Sequence, residues 1–277
     1  MRRAGATTAI AMPPRLPRLQ LFEFNDSPRT PRAVRDTVVE SLSRTLAWGH
    51  MLDGLVEPFE AFLADARATE VLDLGAGSGG PACILSEALA RRGGAQPRFV
   101  LTDLHPRLED WERARAEHPA AIDFVAAPVD ATRIPPALAE GRARSIVNVM
   151  HHFPREAAAA ILEDAVRSAR GVFVAECFER NPLHFANFAF AGLPALLANP
   201  WLTSKDRLAK IALTWLTPAA LAVALWDGVV STLRVWSEDD LRAMVAPFGA
   251  GWRWEYGTFR FSPFGRGYYF YGVPREA

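Results

Sequence analysis

Glu70-Val71-Leu72-Asp73-Leu74-Gly75-Ala76-Gly77-Ser78-Gly79-Gly80 is the stretch that decides the fold. A short apolar run (Val71, Leu72, Leu74) leads into a glycine-dense loop, and a helix-forming segment from Pro81 to Ala90 follows at once. This is a strand–loop–helix unit. Glycine lets a backbone approach a ligand closely, and the free N–H groups of a helix N-terminus turn toward it. Asp73, at the strand's end, is placed to accept hydrogen bonds from a cationic or amine-bearing ligand. Gly75, Gly77 and Gly80 also satisfy the G-x-G-x-x-G dinucleotide spacing, so the glycines alone do not choose a cofactor.

Outward from this unit the chain alternates strand and helix. Arg98–Thr102 reads as a second strand closed by Asp103, Leu108–Glu117 as a polar helix and Ala121–Val125 as a third strand. Asp130 follows in Val129-Asp130-Ala131-Thr132. Ser145–Met150 is a fourth strand that runs into His151-His152-Phe153-Pro154, and an alanine-rich helix spans Arg155–Arg170. Gly171–Cys177 is a fifth strand with Glu176 near its end. In open α/β sheets ligands bind beyond the carboxyl ends of the strands. Asp73, Asp103, Asn148, His151, His152 and Glu176 all fall there.

The order Asp73-x-Gly75-x-Gly77-x-Gly79 resembles motif I of the class I S-adenosylmethionine (SAM) dependent methyltransferases, small-molecule type. The resemblance covers about 70–180 and 237–273. It implies that Asp73 and Gly75, Ala76, Gly77 and Gly79 hold the methionine half of SAM. It further implies Asp103, with Leu104 beside it, at the ribose, Asp130 and Ala131 at the adenine, and Asn148 in the cofactor set. Many methyltransferases of this type carry a similar His-His-Phe after the fourth strand. Imidazole titrates near neutral pH, so His151 and His152 are candidate bases toward a hydroxyl or amine. One of the pair could equally pack or cap the next helix. Glu176 is a candidate to orient a polar group of the substrate or to anchor a loop. An Asn-Pro-Pro-Tyr motif is absent; the corresponding positions read Asn148-Val149-Met150-His151.

Half of the 277 residues are hydrophobic, enough for a sizeable core. Lys plus Arg and Asp plus Glu stand at 31 each, so no electrostatic footprint for nucleic acid is expected. The two cysteines, Cys83 and Cys177, are far apart, and no Cys/His spacing suggests a metal, so none is expected. A reducing, cytoplasmic compartment fits. Residues 1–19 read as a flexible leader, 20–69 as an N-terminal helical cap, 70–178 as the SAM-binding core, 179–236 as an insertion and 237–277 as the completion of the core sheet.

The insertion departs from a minimal methyltransferase. Pro182–Ser204 and Ile211–Trp226 carry no charge, and Lys205, Asp206, Arg207 and Lys210 separate them as a solvated turn would. Neither makes a membrane span of ~20 apolar residues, because Pro194, Pro200 and Pro218 interrupt them. The segment 182–226 reads as a lid over an apolar pocket, a peripheral membrane contact or a dimer face. Asp227–Arg234 reads as a tight loop returning to the core, with Asp227 and Arg234 either reaching the substrate mouth or, the favoured reading, forming a surface ion pair. Ser237 with Asp240 forms a shortened capping box. Trp252–Phe261 and Tyr268–Val273 then close the sheet as a hairpin.

The expected fold is therefore α/β: a Rossmann-like, seven-stranded, mostly parallel sheet with an antiparallel last strand. The expected activity is in-line methyl transfer from SAM to a small apolar or aromatic acceptor (at O, N or C). The alternatives are an NAD-dependent oxidoreductase and a membrane-associated binding protein of the same fold. The oligomeric state is open.

Overall fold

The computed structural model describes residues 16–275 except Pro28, Ala95, Ser204, Pro263 and Phe264. Most of the expected leader thus lies outside the described residues. Its last part is not loose: Leu19 donates its N–H to Leu233 O at 3.0 Å, and the Arg18 guanidinium bonds the carbonyl of Arg234.

Seven strands form one sheet: β1 (Glu70–Leu74), β2 (Arg98–Thr102), β3 (Ile122–Phe124), β4 (Ala143–Val147), β5 (Val172–Glu176), β6 (Trp252–Phe261) and β7 (Gly265–Pro274). Their order is β3-β2-β1-β4-β5-β7-β6. The pairs among β1–β5 are parallel, and β7 runs antiparallel to both β5 and β6. Strands β1, β2, β4 and β5 are short and almost wholly buried, as a sheet sandwiched by helices demands. The order reverses direction between β1 and β4, which opens a crevice at their carboxyl ends.

Ten helices accompany the sheet in the described residues. They are α1 (Arg32–Trp48), α2 (Val56–Ala66), α3 (Gly80–Arg92), α4 (Leu108–Glu117), the short α5 (Pro136–Ala139), α6 (Arg155–Ser168), α7 (Pro182–Leu202), the short α8 (Arg207–Ile211), α9 (Ala219–Arg234) and α10 (Glu238–Val245). Gly80 and Pro81 open α3, where proline's missing N–H costs nothing. The Ser237–Asp240 capping box opens α10 as the sequence suggests. On one face of the sheet α2 inserts Phe59 and Phe62 among Phe99, Phe173 and Tyr271, with ring centroids 4.9–5.8 Å apart. The first helix does something else. It packs against α7 and α9, so three helices stand as a group above the crevice.

Three expectations for the insertion need correction. Asp227–Arg234 is not a loop; it is the second half of α9. Asp227 and Arg234 are not a surface pair: each is buried, and each binds residues 21–26 instead of the other. Lys210 is not a solvated turn residue either. It is fully buried, with its Nζ 2.8 Å and 3.0 Å from the two carboxylate oxygens of Glu40 on α1. Pro194 and Pro200 lie within a continuous α7. Among the described residues no single helix is long and apolar enough to cross a membrane; Arg207–Leu216 and Ala219–Arg234 reach that hydrophobicity only together, bent by 80°.

Candidate active site

The glycine loop sits at the carboxyl end of β1, and each glycine has its own reason to be there. Gly75, Gly77 and Gly79 all have positive φ (67°, 54° and 83°), a region that side chains with Cβ avoid. A Cβ on Gly75 would meet Val149 at 2.7 Å, and one on Gly79 would meet Leu101 at 2.9 Å. A Cβ on Gly77 would meet nothing within 4 Å. Gly77 is thus the point where the loop's backbone borders open space. The loop is pinned from three sides. Ala76 donates its N–H to Thr102 O at 2.9 Å, Trp111 Nε1 donates to Gly77 O at 2.9 Å, and the Ser78 and Ser43 hydroxyls lie 3.0 Å apart.

Strand register brings the acids to this loop. Asp73 pairs across the sheet with Ser145, whose hydroxyl donates to its Oδ1 at 2.6 Å. Burial pushes the Asp73 carboxyl up to about 7; the Ser145 hydroxyl works against that shift and the charge of Asp103 adds to it. Asp103, just past β2, accepts the Gly77 N–H at Oδ2 (2.9 Å) and the His105 N–H at Oδ1 (2.8 Å). Its oxygens keep further lone pairs for the hydroxyls of a ligand. Leu104 next to it is 54% exposed, an apolar side chain left beside the crevice. Asp130 is exposed and caps its own turn, its Oδ1 accepting the Thr132 N–H (2.9 Å) and hydroxyl (2.7 Å), with Ala131 half-buried between them.

Beyond β4 the backbone changes character. Asn148 has φ +58°, a left-handed conformation that Asn tolerates better than most residues. Its Oδ1 accepts the Cys177 N–H at 2.7 Å, so its carboxamide ties the end of β4 to the end of β5. The following turn carries His151 and His152. Glu176 holds His151 at two points: Oε1 accepts the His151 peptide N–H at 3.0 Å, and Oε2 lies 2.9 Å from Nδ1. Burial pushes Glu176 up to about 8 and His151 down to about 3, so both shifts run toward the uncharged pair. With Nδ1 committed, Nε2 is the ring nitrogen left for chemistry. His152 stacks on His151 at 4.1 Å between centroids, and its Nδ1 lies 2.9 Å from Asp26 and 3.3 Å from Glu23.

Glu23 and Asp26 are the residues that sequence reasoning missed. Residues 16–27 cross the molecule as a strap with no helix or strand. Asp227 accepts the N–H groups of Phe24 (2.8 Å) and Asn25 (3.0 Å), and the Arg234 guanidinium bonds Leu21 O and both acids. Glu23 is 1% exposed; burial pushes its carboxyl up to about 7 against the pull of His152 and Arg234. Burial also raises Asp26, but the neighbouring His152 and Arg234 outweigh it and bring Asp26 down to about 2. The signal in the sequence was the polar stripe Asp227, Ser231 and Arg234 at i, i+4 and i+7 of an otherwise apolar segment, one face of a helix facing a polar partner.

These groups line one end of a cavity of about 130 Å³. Glu23, Asn148, His151 and His152 form its polar end. Phe178, Phe185, Phe188 and Leu196 supply apolar wall, and Ser41, Leu42 and Thr45 of α1 close one side. The same α1 touches the glycine loop through Ser43, and Val149 packs against Gly75. Cavity and loop are therefore neighbours across one helix and one turn. Of the aromatic residues in the insertion, Phe185 and Phe188 line the cavity; Phe190, Trp201, Trp215 and Trp226 are exposed.

The sheet order differs from that of the dinucleotide-binding proteins whose glycine pattern the loop also satisfies. Doubly wound dinucleotide-binding sheets run 3-2-1-4-5-6 in parallel. Here a seventh strand inserts antiparallel between β5 and β6. The chain has the class I SAM-dependent methyltransferase fold. No family model and no curated protein sequence matches it. Solved structures of this methyltransferase fold are similar to it at low identity. Magnesium protoporphyrin IX methyltransferase from Synechocystis PCC 6803, with bound S-adenosylhomocysteine, is 15% identical, with TM-score 0.48 over 84% of this chain and 86% of that one. An O-methyltransferase from neocarzinostatin biosynthesis, in complex with SAM and 2-hydroxy-5-methyl naphthoic acid, is 16% identical, with TM-score 0.49 over 88% of this chain and 59% of that one. The CMeT domain of the citrinin polyketide synthase is 17% identical, with TM-score 0.46 over 80% of this chain and 53% of that one.

Proposed function

We propose that the protein transfers the methyl group of SAM to a small, largely apolar acceptor bearing one hydroxyl or amine. The observation that carries the reading is the cavity: only α1 and the turn after β4 separate it from the glycine loop of a methyltransferase fold, its wall is mainly apolar, and Glu23, His151 and His152 give it a polar group of side chains. A cavity of about 150 Å³ lined by Leu, Ile and Phe takes up benzene, so the 130 Å³ found here suits a ring-sized group.

The residues present fit SAM. Open space beside Gly77 leaves room for a ligand against the loop, and Asp73 and Asp103 face that loop from β1 and β2. In this reading the loop and Asp73 hold the methionine part, Asp103 with Leu104 beside it the ribose, Asp130 with Ala131 the adenine, and Asn148 the wall between cofactor and acceptor. When bound, SAM supplies an activated methyl on a sulfonium. The protein's part is alignment and exclusion of water. The helices α1, α7 and α9 exclude water, while the His151–His152 end receives the acceptor's polar atom and its proton.

Titration with SAM, S-adenosylhomocysteine and NADH tests the cofactor; micromolar binding of the first two and none of NADH is expected. Asp103→Ala should weaken SAM by ~1.5–3 kcal/mol, the scale of hydrogen bonds to a charged group. Incubating wild type with SAM and a panel of phenols and aromatic amines, read by mass spectrometry, tests transfer. NADH binding alone would establish the oxidoreductase instead.

A peripheral membrane contact through 182–226 belongs to the same proposal. Leu193, Leu221 and Leu225 line the cavity and are exposed, and Phe190, Trp201 and Leu216 of the same segment are exposed as well. Co-sedimentation with liposomes tests it, and Phe190→Ser/Trp201→Ser should abolish it.

A further inference from the structure

We propose that Glu23, His151 and His152 form a binding site for a divalent transition-metal cation at the polar end of the acceptor cavity. One candidate ligand atom from each residue lies within 4.8 Å of the other two. Four ligands about 2 Å from a tetrahedral cation stand ~3–4 Å apart, so small side-chain rotations close the set. No local spacing revealed it, because Glu23 comes from the strap and the histidines from the turn after β4. The expectation of no metal rested on such spacing.

Three further features support a cation. Glu176 holds His151 through Nδ1, the carboxylate–imidazole arrangement that orients a metal-ligating histidine and leaves Nε2 as ligand. Glu23 Oε1 is occupied by the Ser231 hydroxyl (3.0 Å) and Arg234 (3.3 Å), while Oε2 faces His152. All three residues line the cavity, so the fourth coordination position faces the acceptor, the open position of catalytic rather than structural sites. Two imidazoles and one carboxylate select borderline cations such as Zn²⁺, Mn²⁺ or Co²⁺ over Mg²⁺ and Ca²⁺. A cation here would hold the oxygen of a hydroxylated acceptor and choose which hydroxyl meets the methyl group. That use rests on the methyltransferase reading; the binding itself does not.

The competing arrangement is a closed ionic network in which His152 stays with Asp26, and Glu23 with Arg234, and no metal enters. Titration of chelator-treated full-length protein with Co²⁺ separates the two, read by visible absorption and calorimetry, with SAM affinity measured on the same samples. The expected result is one Co²⁺ per chain with the bands of a low-coordinate site. Glu23→Gln and His152→Gln should each lower the affinity at least ~10-fold, and Glu176→Gln by ~10–100-fold as an orienting partner does. SAM affinity should stay within about twofold, which shows that these variants fold. No Co²⁺ binding, or binding indifferent to Glu23→Gln and His152→Gln, would overturn the proposal. Co²⁺ binding without SAM binding would instead leave the cation site standing and remove the methyltransferase reading.

Discussion

Gly75 and Gly77 share a positive φ and differ in what surrounds them, so alanine at each should fail differently. Gly75→Ala forces a Cβ to within 2.7 Å of Val149 and strains the backbone; a loss of ~2–4 kcal/mol of stability is expected in urea unfolding. Gly77→Ala carries only the backbone strain of ~1–2 kcal/mol, because no atom lies within 4 Å, yet its Cβ enters the open space that the proposed function gives to the cofactor. It should fold and lose SAM affinity. A Gly77→Ala protein that binds SAM normally would move the cofactor away from the loop. Asp73 sets a pH dependence of its own. Its carboxyl, near 3.9 in the unfolded chain, is raised to about 7 by burial. The protonated form therefore contributes stability that is complete below pH ~3.9 and lost as pH rises through about 7. SAM is cationic and prefers the carboxylate, so its affinity should rise with pH up to about 7, by up to ~10-fold per unit, and Asp73→Asn should flatten the profile. These residues were legible in the sequence because strand, loop and acid are contiguous and the signature is local. Glu23 was not. Its partners His152 and Arg234 lie far along the chain, and nothing near Glu23 in sequence marks it as buried.

At the scale of elements, α9 shows why the insertion resisted reading. Asp227-Gly228-Val229-Val230-Ser231-Thr232-Leu233-Arg234 has the composition of a loop: a glycine, two β-branched residues in a row and several polar groups. Tertiary contacts override those weak propensities. The polar positions Asp227, Ser231 and Arg234 face the strap, and Gly228 sits where α9 crosses α7. There a Cβ would come within 1.9 Å of Phe185 Cζ, so glycine is what leaves the Phe185 ring in its place. The strands and the helices α3, α4, α6 and α10, by contrast, follow their periodicity and caps within a few residues, because each buries one apolar face in the main core. Gly228→Ala should displace Phe185 into the cavity that both residues line. The expected outcome is a stable protein with unchanged SAM affinity and a raised KM for acceptor, measured by steady-state methyl transfer. Equal loss of SAM affinity would mean that the two subsites are not separate.

Across the whole molecule the labour divides along the crevice. In the proposed reading the cofactor side is built from the ends of β1 and β2, whose short, buried strands leave it little freedom. The cavity proposed for the acceptor is assembled from parts remote in sequence: the strap, the turn after β4, and α1, α7 and α9. The strap has no backbone ladder to hold it; side chains hold it instead. Asp227 receives two consecutive N–H groups, and Arg234 binds Leu21, Glu23 and Asp26. A segment fixed by a few such bonds opens at lower free energy than the sheet, and such segments are where ligands gain access to enclosed sites. Asp227→Ala should therefore act locally. Removing two hydrogen bonds to a carboxylate, each worth ~1.5–3 kcal/mol, should speed amide exchange in residues 19–26 by at least ~10-fold. Exchange in β1, β4 and β5 should stay as slow as before, and SAM should bind as in wild type. Exchange that rises uniformly across strap and sheet would show that the molecule opens as one cooperative unit, and that the acceptor enters by the apolar mouth between α7 and α9 rather than past the strap.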